Sequence, residues 1–328
     1  MVVVVTGAAG HIGANLVRAL LERGKPVRAL VHRDRRALEG LDVETVTGDI
    51  CEPESLLKAF EGAETVYHLA ANISLMMNDW PSVQKINVAG TQNVIDACIR
   101  CKVQRLVYFS SIHALQPGPD DKLINESCSL VESPQCPPYD RSKADGERLI
   151  RQAVAQGLNA IIINPTGVLG PYDYQPSHFG FTLVSLASKK MAALVSGGFN
   201  WVDARDVAAG AIAAAERAAA GAEYLLSGHY VSVRDVGKMV AEITGVPAPR
   251  FVTPMWLART IAPLVTIYNR LSGRRQYFTS VSLRALRETR PVSNEKATRE
   301  LGYQPRPFRE TLADTLQWFA EHGQVKIK

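Results

Sequence analysis

Residues 1 to 24, MVVVVTGAAGHIGANLVRALLERG, constrain the fold more than any other stretch of the chain. Val2 to Val5 form a short, unbroken β-branched run, the pattern of a strand buried on both faces of a parallel sheet. Gly7, Gly10 and Gly13 follow it directly. Beyond them Ile12, Leu16, Val17, Leu20 and Leu21 recur at helical spacing, and Gly24 stands where such a helix would end. The segment therefore reads as strand, tight glycine turn, helix. A side chain in that turn would keep the backbone away from a pyrophosphate, whereas bare N–H groups and the positive end of the helix dipole attract one. The spacing is GxxGxxG rather than GxGxxG, so the motif by itself leaves a phosphate cradle and a plain turn both open.

The remaining sequence narrows the choice. A chain of 328 residues with 46% hydrophobic and 21% charged residues has the profile of a soluble globular enzyme and excludes a disordered protein. The net charge of +5 is too diffuse to imply a nucleic acid partner, and its densest cluster, Arg270, Arg274 and Arg275, reads as a solvated face. No stretch reaches about 18 uninterrupted apolar residues, and the valines run into a glycine turn rather than a cleavage site. A cytoplasmic location without an integral membrane span is expected. The segment MWLARTIAPLVTIYNRL is amphipathic and aromatic but interrupted by Arg259 and Pro263; it reads first as a substrate-region helix and second as a helix lying on a membrane. Five cysteines argue for a reducing compartment, and the pair Cys98 and Cys101 lacks a second metal-spaced pair, so buried thiols and no metal are expected.

Strand and helix patterns then alternate. PVRALVH, VETVTGDI, AETVYHLAA, RLVYFSS and NAIIINPTGVLG read as further strands. PESLLKAFEG, QKINVAGTQNVIDACIRC and residues 139 to 155 read as helices between them. The alternation predicts an α/β fold: a doubly wound parallel sheet of the Rossmann type with helices on both faces. From Pro171 the rhythm breaks, which divides the chain into a dinucleotide-binding region over 1–170 and a smaller mixed α/β substrate-binding lid over 171–328. AEYLLSG, near 222–228, reads as a strand returning to the main sheet.

Ligands of such sheets bind at the carboxyl ends of the strands. Asp49 and Ile50 close the third strand, Ala70 and Ala71 the fourth, Ser110 and Ser111 the fifth, and Asn164 and Pro165 the sixth. Asp49 is placed to accept a hydrogen bond from an adenine amino group or to cap the next helix. The sharpest chemical signal is YDRSKADGER. Tyr139 and Lys143, four apart, project from one helix face. A free tyrosine titrates near ~10; a neighbouring ammonium favours the phenolate and fits it for general acid or base work. Ser111 would hydrogen-bond the same substrate oxygen.

Taken in order, TGAAGHIG, GDI, YHLAA, NVAGTQNVIDAC, VYFSSI, YDRSK, NPTGVLGP and ELGYQPRP resemble the extended short-chain dehydrogenase/reductases. The similarity lies with the branch of dihydroflavonol 4-reductases, 3β-hydroxysteroid dehydrogenases and hopanoid-associated sugar epimerase-like proteins. The resemblance implies a catalytic set of Ser111, Tyr139 and Lys143, with Asn87 as a fourth member. It implies cofactor contacts from Gly7, Ala9, Gly10, His11, Ile12, Gly13, His32, Arg33, Asp49, Ile50, Leu69, Ala70, Ala71, Asn164 and Pro165, besides Tyr139 and Lys143. It also implies a homodimer packed through helices beside the site.

Cofactor choice turns on the end of the second strand, where NAD-preferring relatives carry an acid. Val31 stands there, followed by His32, Arg33, Arg35 and Arg36, with Asp34 close by. NADP(H) is therefore expected over NAD(H), with Arg33 as phosphate contact. Nucleotide-sugar epimerases of the superfamily follow the active-site serine with Tyr-Gly and carry an arginine where this chain has Phe199. Those departures favour a less charged substrate, lined by Ser111, His113, Tyr172, Tyr174, Phe179 and Trp201. The expected reaction is hydride transfer to or from a ketone or secondary alcohol of a mostly apolar small molecule. The alternatives are a sugar epimerase that retains NAD and a non-catalytic dinucleotide sensor.

Overall fold

The structure, a computed structural model, describes residues 2–119, 122–271, 279–287 and 289–327. Arg274 and Arg275, and the side chain of Arg270, lie outside the described residues.

The valine run is β1 (Val2–Thr6) and the helix after the glycine turn is α1 (His11–Glu22). Then follow β2 (Val27–Val31), β3 (Glu44–Thr47), α2 (Pro53–Phe60), β4 (Ala63–His68), α3 (Gly90–Arg100), β5 (Arg105–Phe109), α4 (Pro138–Ala155) and β6 (Ala160–Pro165). With β9 (Glu223–Leu226), these strands form a parallel seven-stranded sheet in the order β9-β6-β5-β4-β1-β2-β3. The strand period explains the valines. Val3 and Val5 join the core beneath α1, and Val4 joins the core on the opposite face with Leu56, Val94 and Ile150.

Two elements depart from the sequence pattern. The expected sixth strand is divided: β6 ends at Pro165, which has no N–H to extend the ladder, and β7 (Gly167–Leu169) pairs instead with β8 (Gly198–Asp203). The long helix expected from residue 84 starts earlier, with an α-helical turn over Trp80–Val83, passes through a π-helical turn over Gln84–Ala89 and runs on into α3.

The smaller region is built on β8, flanked by β7 and by antiparallel β10 (His229–Ser232). Its core joins Leu183 and Leu186 of α5 (His178–Ala187), Val236 and Val240 of α7 (Val233–Thr244), and Leu312 and Phe319 of the C-terminal helix (Phe308–Glu321). Helix α6 (Ala204–Arg217) leads back to β9. Its alanines, Ala208, Ala211 and Ala214, pack into the same core as α1. Among the described residues no helix is long and apolar enough to cross a membrane.

Candidate active site

The glycine turn is sterically dictated. Gly7 has φ +69°, and a Cβ there would stand 2.7 Å from the Ala70 nitrogen; a Cβ on Gly13 would collide with the Gly7 carbonyl. Gly10 caps α1 with no side-chain hydrogen bond, so the first N–H groups of the helix have no side-chain acceptor at that cap. The turn thus has the shape a pyrophosphate requires: close backbone approach, and donors that nothing in the cap satisfies. His11 contributes differently. Its Nε2 lies 3.0 Å from the Gly170 carbonyl, and Asn15 donates to the Pro171 carbonyl at 3.0 Å, so the loop after β7 is latched to α1. Ile12 packs against the sheet core, and Ala9 stays on the partly open turn.

At the end of β2 the arginines divide. Arg36 pairs with Asp34 at 2.7 Å, and Arg35 donates to Thr47 Oγ1 at 2.6 Å. Arg36, then a hydrogen bond from Gln175, hold the Asp34 carboxyl well below its usual range. Arg33 is exposed and has no hydrogen bond or ion pair among the described residues. His32 faces Asp49 at 3.7 Å, while the other Asp49 oxygen accepts from the Cys51 N–H at 2.9 Å. The Asp49 side chain thus closes a turn in the loop and does not cap α2, whose N-cap is Glu52 with no side-chain hydrogen bond. Ile50 is buried against Gly90, where any side chain would strike it.

The half-buried Leu69, Ala70 and Ala71 follow β4, with the N–H groups of Leu69 and Ala70 on the Thr6 carbonyl and hydroxyl. His68 bridges Thr6 and Thr91 at 2.8 and 3.1 Å, and burial lowers it to about 3, so it is neutral at ordinary pH. Asn87 lies in the π-helical turn, fully enclosed. Its oxygen accepts from the Asn72 N–H, and its nitrogen donates to the Asn72 carbonyl and to Ser142 Oγ. Asn87 thus joins the loop after β4 to α4. Its side chain is spent on that clamp, and none of these contacts reaches Tyr139 or Lys143 side-chain atoms.

Ser111 follows β5, and Tyr139 opens α4 one turn before Lys143. Ser111 lies beside the Tyr139 hydroxyl, close enough to favour the phenolate, and its Oγ accepts from the His113 N–H at 3.2 Å. Burial pushes Tyr139 up to about 12; Ser111 opposes that rise and Asp140 adds to it. The sequence led to the opposite expectation, a tyrosine lowered by its lysine. Burial of the phenol dominates instead, because excluding water penalises the phenolate directly, and Lys143 is not among the groups that shift it. Lys143 donates to the Phe109 carbonyl at 2.8 Å and is itself lowered by burial to about 8, with the carboxylate of Glu147 pulling it back up.

Glu147, one further turn along α4, escaped the sequence reading. It is fully buried, accepts from Asn164 Nδ2 at 2.6 Å, and is raised to about 6, chiefly by burial. The signal was present: Tyr139, Lys143 and Glu147 stand at i, i+4 and i+8 on one helix face. Asn164 spends its N–H groups on Glu147 and, at 3.3 Å, on the Ser111 carbonyl. Asn164 is one of the expected cofactor contacts; in this structure those side-chain N–H groups face inward. Pro165, beside it, ends β6.

Several expected substrate residues make packing contacts in this structure. The Arg18 guanidinium lies 4.0 Å over the Tyr172 ring, and Tyr174 packs against Trp318 and hydrogen-bonds Arg18. Trp201 is buried against Phe179 and Phe199, and its indole N–H donates to the Val231 carbonyl. Aromatic residues cluster here because they bury much area, and sequence spacing cannot tell a core wall from a pocket wall. His113 is half-exposed beside the site, 3.5 Å from Asp140 and edge-on to the Tyr139 ring.

A parallel sheet with a bare glycine turn after its first strand, and Ser, Tyr and Lys gathered beyond its fifth, defines an extended short-chain dehydrogenase/reductase. Residues 3–229 match the NAD dependent epimerase/dehydratase family, and the chain belongs to that NAD(P)-binding enzyme family. It is 36% identical over 329 residues to sterol demethylase protein B of Methylococcus capsulatus, covering 99% of this chain and 100% of that protein. It is 33% identical over 330 residues to a protein of Synechocystis provisionally named dihydroflavonol 4-reductase, covering 99% and 96%. The crystal structure of gox2253 shares the fold with a TM-score of 0.86 at 34% identity, over 99% of both chains.

Proposed function

We propose that the protein is an NADP(H)-dependent reductase or dehydrogenase that interconverts a ketone and a secondary alcohol on a mostly apolar small molecule. The observation that carries this reading is Phe199. At the place where sugar-nucleotide epimerases carry an arginine, an aromatic ring packs 4.6 Å from Phe179 and 5.1 Å from Trp201, an environment with no charge to offer a diphosphate. Similarity to proteins named for a sterol and a dihydroflavonol supports the same substrate class.

The bare glycine turn fits the dinucleotide pyrophosphate, and Arg33, with no partner among the described residues, fits a 2′-phosphate by bidentate hydrogen bonding. When bound, the reduced nicotinamide would donate a hydride to the carbonyl carbon, and its oxidised form would accept one from the alcohol carbon. The chain's own residues handle the proton and the orientation. Ser111 holds the carbonyl oxygen, and Tyr139, protonated at neutral pH, gives its hydroxyl proton to that oxygen in reduction and takes it back in oxidation. Lys143 has one donor on the Phe109 carbonyl and two more for the nicotinamide ribose. His68 stays neutral behind it and adds no second positive charge. The reading extends to a cytoplasmic homodimer paired through helices beside the site, which sedimentation would test.

The deciding experiment is to denature freshly purified protein, identify any nucleotide released, and titrate nucleotide-free protein with NADPH and NADH. Tighter binding of NADPH, lost roughly tenfold in Arg33→Ala with NADH binding unchanged, supports the reading. Stoichiometric NAD that does not exchange overturns it in favour of an epimerase. Asp34 is the residue that would favour that second reading, since it places a carboxylate three residues beyond Val31.

A further inference from the structure

The helix α8 (Met255–Leu271) presents its small residues inward and its large ones outward. Ala258 and Ala262 are buried against Leu283 and Leu286 of the following helical segment, which fixes the rotation of α8 about its axis. Trp256 and Leu264, two turns apart, then face outward with Ile261 beside them, and Phe251 precedes the helix on the strand that leads into it. Among the described residues the three most exposed large hydrophobic side chains are Phe251 (75%), Trp256 (69%) and Leu264 (68%), all within 14 residues. Single exposed hydrophobes are ordinary, but this concentration is not.

The charges of the same segment say what covers it. Arg250 and Arg259 are exposed on either side of Trp256, and from Gly245 to Leu271 the sequence contains no Asp or Glu. Bulky apolar groups flanked by two arginines, with no carboxylate in the segment, complement anionic headgroups above an acyl layer. Tryptophan and arginine are the side chains that settle at that boundary. We infer that the face formed by Phe251, Trp256, Arg259 and Leu264 docks the protein on an anionic lipid bilayer, lying in the interface without crossing it. This inference stands on the surface alone and does not depend on the substrate or cofactor proposed above.

The test uses the full chain with vesicles of phosphatidylcholine alone and of phosphatidylcholine mixed with phosphatidylglycerol. Cosedimentation with the mixed vesicles is expected. A blue shift of Trp256 emission and its quenching by brominated acyl chains, both absent in Trp256→Phe, should accompany it. Arg259→Glu should weaken the binding about tenfold, as raised salt should, and the pair Trp256→Ala with Leu264→Gln should abolish it. NADPH titration of the same variants checks that they are folded. Absence of vesicle binding, binding that Trp256→Ala with Leu264→Gln leaves intact, or binding without acyl-chain quenching would each overturn the inference. So would a self-associated protein that those two substitutions render monomeric, because the face would then belong to a second copy.

Discussion

Tyr139 and Lys143 occupy the positions that YDRSK announces, yet their protonation is set by burial. That buried environment decides the pH behaviour. Tyr139, near 12, is protonated throughout the working range and ready to donate, whereas Lys143, near 8, loses its charge within it. In the reductive direction kcat/KM should therefore be flat at neutral pH and fall above about pH 8. Glu147→Gln removes the carboxylate that raises Lys143, so the falling limb should move to lower pH, which a pH profile of the variant reads directly. Tyr139→Phe should lower hydride transfer by about 10²–10⁴-fold while NADPH titration shows near-normal binding. A residual rate within a few-fold of the parent would remove Tyr139 from the mechanism. At this scale the sequence disclosed which side chains meet, because helical spacing is geometric. It did not disclose that burial is the largest influence on both groups, because burial is set by the tertiary packing around the phenol and the ammonium. Trp201 makes the same point from the other side: nothing in an aromatic residue's spacing says which way its ring turns.

Elements were legible where one physical rule dominates. The valines of β1 need two buried faces and obtain them; the glycines after it need close backbone contact, and a Cβ at Gly7 or Gly13 would meet backbone atoms. Gly13→Ala should cost about 3 kcal/mol, since the obstruction is a carbonyl and not a flexible side chain. Urea unfolding measures that cost, and a loss below about 1 kcal/mol would mean that α1 can slide away from the turn. The π-helical turn over Gln84–Ala89 was not legible, because its apolar spacing is compatible with a continuous α-helix. Its reason lies in tertiary structure. The turn coincides with the clamp by which Asn87 ties Asn72 to Ser142 on α4, and such bulges recur at functional sites.

Across the whole molecule, an ion network at the start of α6 ties that helix to the C-terminal helix and to the segment that leads into it. Arg205 bridges Asp203 and Asp314 of the C-terminal helix, each at 2.7 Å, while Arg306 binds Asp206 at 2.8 Å and approaches Asp203 at 3.6 Å. Asp203 is enclosed and held below its usual range: burial would raise it, but the Arg205 bonds prevail. Removing one cation would leave a buried carboxylate short of partners. Arg306→Ala should therefore destabilise the protein by roughly 2 kcal/mol, the partial exposure of Arg306 reducing the full buried-pair penalty. Arg299→Ala, in a pair far more exposed, should change stability by less than about 0.5 kcal/mol in the same urea titration. The strand β9 carries a different consequence. It adds to the sheet beside β6, yet it is made nearly sixty residues later, after the chain has passed through β8 and α6. As the chain emerges from the ribosome, β6 therefore remains an unprotected edge of buried residues until Leu226 is available. A translational pause between these points would prolong the exposure of that edge, so introducing one there should lower the yield of folded protein.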